Sequence, residues 1–234
     1  LPYKECRRTV NKLNLTYQDI RKNEEINQYI TMGNEILGVL GYTDHSQKHA
    51  AIVAERGAKL LKELGYSKKE IELCKIAGYM HDIGNCINRA DHAHSGAIMA
   101  MNILQRLGMD AEDISIIISA IGNHDEETGT AVNAVSAAII LADKTDVRRN
   151  RVRNKKKSSF DIHDRVNYGV IATEFITNPE KKEIHFIFCR SRGCGRPWPW
   201  RVLARHRCAE GDGDICVSRT ADRGERGHRV RNRV

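Results

Sequence analysis

Apolar residues recur every three or four positions through most of the chain, which is the period of a helix with one buried face. Capping residues precede several of these segments, and glycines follow them. The predicted helices cover residues 16–41, 44–65, 67–84, 91–108 and 110–122, and a further apolar segment covers 130–149. The pattern therefore predicts a mainly α bundle whose helices bury their apolar faces against each other.

The pattern changes after residue 147. Residues 147–159 are polar and basic, and we expect them to form an exposed loop. Residues 161–168 form a charged run with no assigned chemical role, for which a turn at the surface is the default. Two apolar runs, 170–177 and 183–188, lie on either side of a proline and predict a small β-hairpin.

These changes divide the chain into four parts: an N-terminal extension (1–14), a helical domain (15–160), a helix and β-hairpin extension (161–188) and an irregular tail (189–234). The tail holds both tryptophans and four of the seven cysteines, without a helical or alternating period. A disordered arm or translation in a shifted reading frame explains this composition, and resequencing beyond codon 188 distinguishes them. A zinc module is disfavoured because the tail lacks paired CxxC motifs. Its ligands would be Cys189, Cys194, His206, Cys208 and Cys216.

The net charge of +8 comes mainly from the tail. Residues 1–188 hold 26 basic against 25 acidic residues, whereas residues 189–234 hold 12 against 5. Nucleic acid is therefore not an expected partner of the helical domain, although the tail could bind it. No apolar run approaches the roughly 18 residues of a membrane helix, and scattered cysteines suit a reducing compartment. We expect a cytoplasmic protein that does not contact membranes, and a homo-oligomer is compatible with this sequence.

Three His-Asp dipeptides occur, where a composition of 10 His and 14 Asp predicts about 0.6 by chance. His81-Asp82 lies at the end of an amphipathic helical segment, and it differs from the other two because further histidines and Asp143 lie on either side of it. A buried imidazole and carboxylate cost free energy unless a cation lies between them, which favours a divalent metal site. An isolated pair in the core is the alternative.

Other candidate residues lie on both sides of that pair. His45 and His49 are four residues apart, so they share a helix face, although His45 could instead lie exposed at the helix start. His92 and His94 compete for one role because they are two residues apart. His124 could end an exposed acidic loop, and Asp143 could form a buried salt bridge.

In its pattern of His49, His81-Asp82 and Asp143, the sequence resembles the HD superfamily of metal-dependent phosphohydrolases. The resemblance covers residues 17 to about 187 and implies that these four side chains bind a metal ion. Some family members hold further metals through additional histidines, and His92 and His124 lie at the corresponding places. His45 stands where the HD-GYP group has a glutamate. That group also has Gly-Tyr-Pro after its last histidine, whereas this chain continues with Asp125, so cyclic di-GMP hydrolysis is not expected.

Phosphate-ester hydrolysis explains why these residue types would be combined. Divalent ions lower the pKa of bound water to about 7 and neutralise charge on phosphoryl oxygens. Asp82 has two oxygens and could bridge two ions, and it is a candidate catalytic residue with Lys144 and Asp125. Mixed imidazole and carboxylate ligands admit one or two ions of Mn, Fe, Co, Ni or Zn, and Mg is also compatible.

Phosphate contacts are expected from cations close to Asp143. The predicted substrate-binding residues are His45, Lys144, Arg148 and Arg151, with a solvated basic loop as the alternative for the arginines. Asp125 or His45 could act as the general acid. The sequence predicts hydrolysis of a small phosphorylated substrate, a nucleotide or a related mono- or diester. The alternative is a catalytically idle nucleotide-sensing or interaction module.

Overall fold

The computed structural model describes residues 15–125, 128–178, 180, 183–190, 201–209 and 212–218. Its helices are α1 (Tyr17–Lys22), α2 (Glu24–Val39), α3 (Gln47–Glu63), α4 (Lys68–Met80), α5 (His92–Arg106), α6 (Ala111–Gly122), α7 (Ala134–Thr145) and α8 (Ile162–Gly169). Short 3₁₀ turns cover Ile83–Cys86, Arg149–Arg151 and Lys157–Ser159. The prediction of a mainly α fold with a C-terminal hairpin is confirmed.

Capping side chains explain most helix boundaries. Thr16 and Asp19 cap α1, and Ser67 and Glu70 form the predicted capping box of α4. The single helix predicted over 16–41 is two helices, because Asn23 ends α1 and its side chain accepts a hydrogen bond from the α2 backbone. The predicted start at Asp44 was early, since α3 begins at Gln47.

Helices α3, α4, α6 and α7 surround one apolar core. Its buried side chains include Val53, Leu61, Ile76, Met80, Ile117 and Ile139. Helices α3 and α4 approach closely at Gly78, where an added Cβ would lie 2.9 Å from the Cα of Ala54. Glycine therefore permits the contact between the two helices that carry His49 and His81.

The strands β1 (Val170–Asn178), β2 (Glu183–Arg190), β3 (Arg201–Ala209) and β4 (Asp212–Ser218) form an antiparallel sheet in chain order. Phe175 pairs with Phe186 across β1 and β2, and Ile184 and Phe186 are buried in the helical core. Thr177 donates a 2.8 Å hydrogen bond to Glu63 at the end of α3. The predicted hairpin thus closes one side of the helical core.

Two segments near the hairpin differ from the predictions. The expected surface turn at 161–168 is largely helix α8, which Asp161 caps by accepting a hydrogen bond from the backbone of Asp164. The expected exposed loop at 147–159 contains Arg151, whose side chain is buried. Burial of this cation was missed because its partners lie elsewhere in the sequence.

The tail also differs, since β3 and β4 lie where an irregular chain was predicted. Paired strands are joined by hydrogen bonds between backbone groups. They can therefore form without the alternation of apolar and polar residues that predicts a strand from sequence. The N-terminal extension 1–14 and residues 219–234 lie outside the described residues. The four-part division and the reading-frame hypothesis stay predictions.

Among the described helices, none has the length and apolar character needed to cross a membrane.

Candidate metal centre

The six predicted metal ligands lie where five helices begin or end. His49 lies in the first turn of α3, and His81 caps the end of α4, where Asp82 follows it. His92 is the first residue of α5. His124 follows the end of α6, and Asp143 lies in the last turn of α7. Asp91 has a left-handed backbone with φ of 56°, which turns the chain directly before His92. Helix ends thus bring together side chains from positions 49 to 143.

Hydrogen bonds fix the orientation of all four imidazole rings. Each Nδ1 lies against an oxygen that can only accept: Asp146 Oδ2 at 2.8 Å for His49, Gly78 O at 2.8 Å for His81, Arg89 O at 3.0 Å for His92 and Ile121 O at 2.7 Å for His124. Each Nδ1 therefore donates, and in the neutral ring Nε2 presents a lone pair to the centre.

The first ligand group consists of His49, His81, Asp143 and the Oδ2 atom of Asp82. His49 Nε2 lies 3.3 Å from His81 Nε2, 3.2 Å from Asp143 Oδ1 and 3.6 Å from Asp82 Oδ2. His81 Nε2 lies 3.2 Å from the same Asp82 oxygen. Both histidines are fully buried, and together with Asp143 they offer ligand atoms close enough to share one ion. A second such set joins His81 to Asp82 and His124.

The second ligand group consists of His92, His124 and the other Asp82 oxygen. Asp82 Oδ1 lies 3.4 Å from His92 Nε2 and 3.8 Å from His124 Nε2, and the two imidazole nitrogens are 3.2 Å apart. Asn85 donates a 2.8 Å hydrogen bond to Oδ1, which holds the carboxylate in this orientation. The two oxygens of Asp82 thus lie near different histidines, so Asp82 could contribute one oxygen to each of two ions.

The buried histidines and carboxylates of the centre shift each other's pKa values. Burial opposes a charge on His49, but hydrogen bonds with Asp143, Asp146 and Asp82 outweigh it and raise the pKa of His49 to about 10. Burial also opposes charge on Asp82, yet the neighbouring histidines hold its pKa well below the usual range. By contrast, burial lowers the pKa of His92 to about 4. Without a metal, a proton on His49 therefore supplies the positive charge between the carboxylates.

The donor set fits a divalent transition metal. Four imidazole lone pairs and two carboxylates converge in a buried space, and groups of this kind repel one another unless a cation lies between them. Imidazole with carboxylate suits Mn, Fe, Co, Ni or Zn, whereas Mg prefers oxygen ligands alone. The residues present therefore fit the predicted cofactor class, and the six ligand assignments stay a proposal.

Asp146 is a site residue that sequence reasoning missed. Its fully buried carboxylate accepts the hydrogen bond from His49 Nδ1 and two from Arg148, at 2.5 and 2.9 Å. Arg151 donates to the Asp146 backbone oxygen at 2.7 Å. A carboxylate in this position orients a metal-binding histidine and raises its basicity. The available signal was a second aspartate three residues after Asp143, at the C-cap of α7.

This arrangement changes the interpretation of the two predicted phosphate-binding arginines. Arg148 and Arg151 bind Asp146, and Arg151 also donates to the backbone oxygen of Asp44. Their described contacts support His49, because they neutralise the carboxylate that holds it. They do not form the solvated basic loop that was the alternative. Substrate contact by either side chain stays a prediction.

The remaining candidates lie around the ligand groups. Asp125 Oδ2 is 3.7 Å from His92 Nδ1, and Lys144 is half-buried beside Asp143. His45 donates to the backbone oxygen of Thr43 at 2.8 Å, and its ring packs edge-on against His49. Burial lowers the pKa of His45 to about 3, so it is a poor proton donor near neutral pH. The exposed His94 lies 3.7 Å from Asp91, which resolves the competition in favour of His92.

A family model assigns the chain to a known class, and a relative matches most of its length. The HD domain model matches residues 47–165. An uncharacterized protein of Methanocaldococcus jannaschii, MJ1020, is 31% identical over 77% of this chain and 78% of its own length. The chain therefore belongs to the HD domain family, and the predicted resemblance is confirmed.

Other relatives cover less of the molecule. Ribonuclease Y of Oceanobacillus iheyensis is 31% identical, and that of Enterococcus faecalis is 26% identical, over 54% and 56% of this chain. The chain spans about a quarter of the length of these ribonucleases, 23% and 25%. A crystal structure of a predicted HD superfamily hydrolase from an uncultured Thermotogales bacterium is 22% identical, with a TM-score of 0.42 over 53% of this chain and 67% of that one.

Proposed function

We propose that this protein hydrolyses phosphate esters of nucleotides or related small molecules at a centre of one or two divalent metal ions. The observation that supports the proposal is the bridging position of Asp82, whose two oxygens lie 3.2 and 3.4 Å from histidines of different ligand groups. Two adjacent cation sites are an arrangement suited to phosphoryl transfer. Membership of the HD domain family is consistent with this chemistry.

The chain's own residues then have distinct tasks. His49, His81, Asp82, His92, His124 and Asp143 hold the ions. When bound, the ions supply an activated water molecule and neutralise phosphoryl charge. Lys144 contacts the phosphate as a point charge, and Asp125 protonates the leaving oxygen as the general acid. The neutral His45 hydrogen-bonds the substrate at the edge of the first group.

The proposal is tested by measuring metal content and turnover together. Purified full-length protein is analysed for bound metals and assayed on p-nitrophenyl phosphate, bis(p-nitrophenyl) phosphate and a panel of nucleotides. We expect bound transition metal, turnover of at least one substrate, and loss of both in Asp82→Ala. Glu55→Gln is the matched control, since Glu55 is an exposed residue of α3 paired with Lys75 at 3.3 Å. Bound metal without turnover of any nucleotide would favour the idle sensor.

RNA is a second candidate substrate, which the similarity to ribonuclease Y favours. The matching segment includes only about a quarter of those ribonucleases, so the likeness does not extend to the rest of them. A labelled oligoribonucleotide separates the candidates, because a ribonuclease would cleave it in preference to mononucleotides. Cleavage must persist at raised salt if RNA is bound by the centre, since binding through a basic tail weakens steeply with salt.

A further inference from the structure

The side chain of Arg89 lies against the second ligand group. Its Nη1 atom is 3.3 Å from His92 Nε2, 3.4 Å from Asn85 Oδ1 and 3.9 Å from Asp82 Oδ1. The guanidinium also stacks near the ring of Tyr42, at 5.6 Å from its centroid. A permanent positive charge therefore lies beside two of the three side chains proposed to bind the second ion.

The hydrogen bond between Arg89 and His92 Nε2 cannot coexist with a metal ion bound to the same nitrogen. The Nδ1 atom of His92 donates to the Arg89 backbone oxygen, so the neutral ring has its lone pair on Nε2. A guanidinium can only donate, and it donates to that lone pair. A metal ion bound by His92 needs the same lone pair. His92 can therefore bind Arg89 or a metal ion, but not both.

The exposure of Arg89 indicates that its side chain, and not the ring of His92, moves when a metal ion binds His92. Its side chain is 33% exposed, whereas that of His92 is 2% exposed. The long arginine side chain can turn into solvent by rotating about its own bonds, while the ring of His92 is held by its surroundings. The first ligand group has a different environment, because its arginines bind Asp146 and not a ligand nitrogen.

We propose that Arg89 competes with the second metal ion for the lone pair of His92, an inference that rests on the proposed metal centre. Its guanidinium holds the His92 lone pair while only the first group is occupied, and the second ion binds when Arg89 leaves. The two groups then fill in order, first the group of His49 and then the group of His92. Arg89 acts through His92, so it is a positioning residue that sets the affinity of the second group.

The test is a Co²⁺ titration of metal-free, full-length protein, followed by calorimetry and visible absorption. In Arg89→Gln we expect second-ion affinity to rise about tenfold, the scale on which groups around a metal site change its affinity. First-ion affinity should stay within about twofold. Arg89→Ala should behave similarly, and Arg89→Lys should fall between. The matched control is Arg106→Gln, which removes an exposed cation that is paired with Glu25 at 2.6 Å.

Each outcome decides the question. Second-ion affinity that is unchanged or weaker in both Arg89→Gln and Arg89→Ala, with thermal melting unchanged, would overturn the proposal. His92→Ala must remove the second equivalent in the Arg89→Gln background, or the added affinity arises elsewhere. Two ions with the expected change but no turnover would support the role of Arg89 and reject the proposed hydrolysis. Absence of any bound Co²⁺ would overturn the metal centre and this inference together.

Discussion

The two ligand groups differ in what holds one histidine, because His81 of the first group is held by a backbone oxygen, as the histidines of the second group are. His49, in the first group, is held by the buried carboxylate of Asp146, which is itself bound by two arginines. His92 and His124, in the second group, are each held by a backbone oxygen three residues earlier in the chain, and Arg89 competes for His92. A metal ligand supported by a carboxylate is more basic than one supported by a neutral carbonyl. We therefore expect the proposed first site to bind its ion more tightly than the second.

The largest effect is expected from Asp82→Ala, because its two carboxylate oxygens lie near histidines of different groups. The change should remove both ions and lower kcat/KM by about a thousandfold, the equivalent of several kcal/mol of transition-state stabilisation by metal. Metal analysis with the phosphatase assay measures both. His92→Ala is the comparison and should lose only the second ion. Full metal content and turnover in Asp82→Ala would refute the bridging role.

Asp146→Ala should specifically weaken the first group. Removal of the carboxylate leaves His49 Nδ1 without its acceptor, and first-ion affinity should fall by about 10- to 100-fold. Asp146→Asn keeps an acceptor oxygen without the charge and should recover part of the loss. Calorimetric titration with Co²⁺ compares both variants with Glu55→Gln. Equal losses at both groups would show that Asp146 supports the fold and not His49 in particular.

Gly84→Ala should affect the second group more than the first. An added Cβ would lie 2.1 Å from the backbone oxygen of His92 and 2.6 Å from the nitrogen of Gly96, so the start of α5 must move. We expect a loss of about 1–3 kcal/mol in the free energy of unfolding, as for other overpacked sites. Urea denaturation measures the loss, and metal titration should show weakened second-ion binding. Gly108→Ala is not a suitable control because Gly108 has a positive φ of 82°.

A suitable control for Gly84→Ala is Gly122→Ala. The nearest contact of its added Cβ is the Cβ of Ala97 at 3.7 Å, an ordinary packing distance. This variant should keep both metal affinities. If Gly122→Ala and Gly84→Ala weakened second-ion binding equally, close backbone packing at Gly84 would not be the cause.

The smallest expected effect is the dependence of metal affinity on pH, which should differ between the first and the second ligand group. The pKa of His49 is raised to about 10, so metal binding must release its proton, and first-ion affinity should increase about tenfold per pH unit between pH 6.5 and 8.5. The pKa of His92 is lowered to about 4, so this ring is already neutral there and releases no proton. Calorimetry in buffers of different ionisation enthalpy counts the protons. First-ion affinity independent of pH would contradict the protonated state of His49.

Much of the fold was predictable because it depends on short-range pattern. The capping box at Ser67 and the glycine ends of several helices identified elements within a few residues. The split at Asn23 was missed, because one side chain ends α1 and caps α2 without interrupting the apolar period. The burial of Arg151 was missed because it depends on contact with a distant segment, the backbone of Asp44. Helix α8 agrees with the helix expected within 161–188, although a surface turn was the default for 161–168.

The sequence by itself determined which residue types are available and roughly where helices begin and end. It singled out the six side chains that converge, because their order along the chain resembles the metal-ligand pattern of the HD superfamily. Only the tertiary structure decided which atoms meet: the separate oxygens of Asp82, the hydrogen bond from His49 to Asp146, and the contact of Arg89 with His92. His49 and Asp146 are 97 residues apart, so their 2.8 Å contact depends on how α3 and α7 pack. Local spacing constrains a helix face, whereas packing of the whole core sets the orientation of one helix end toward another.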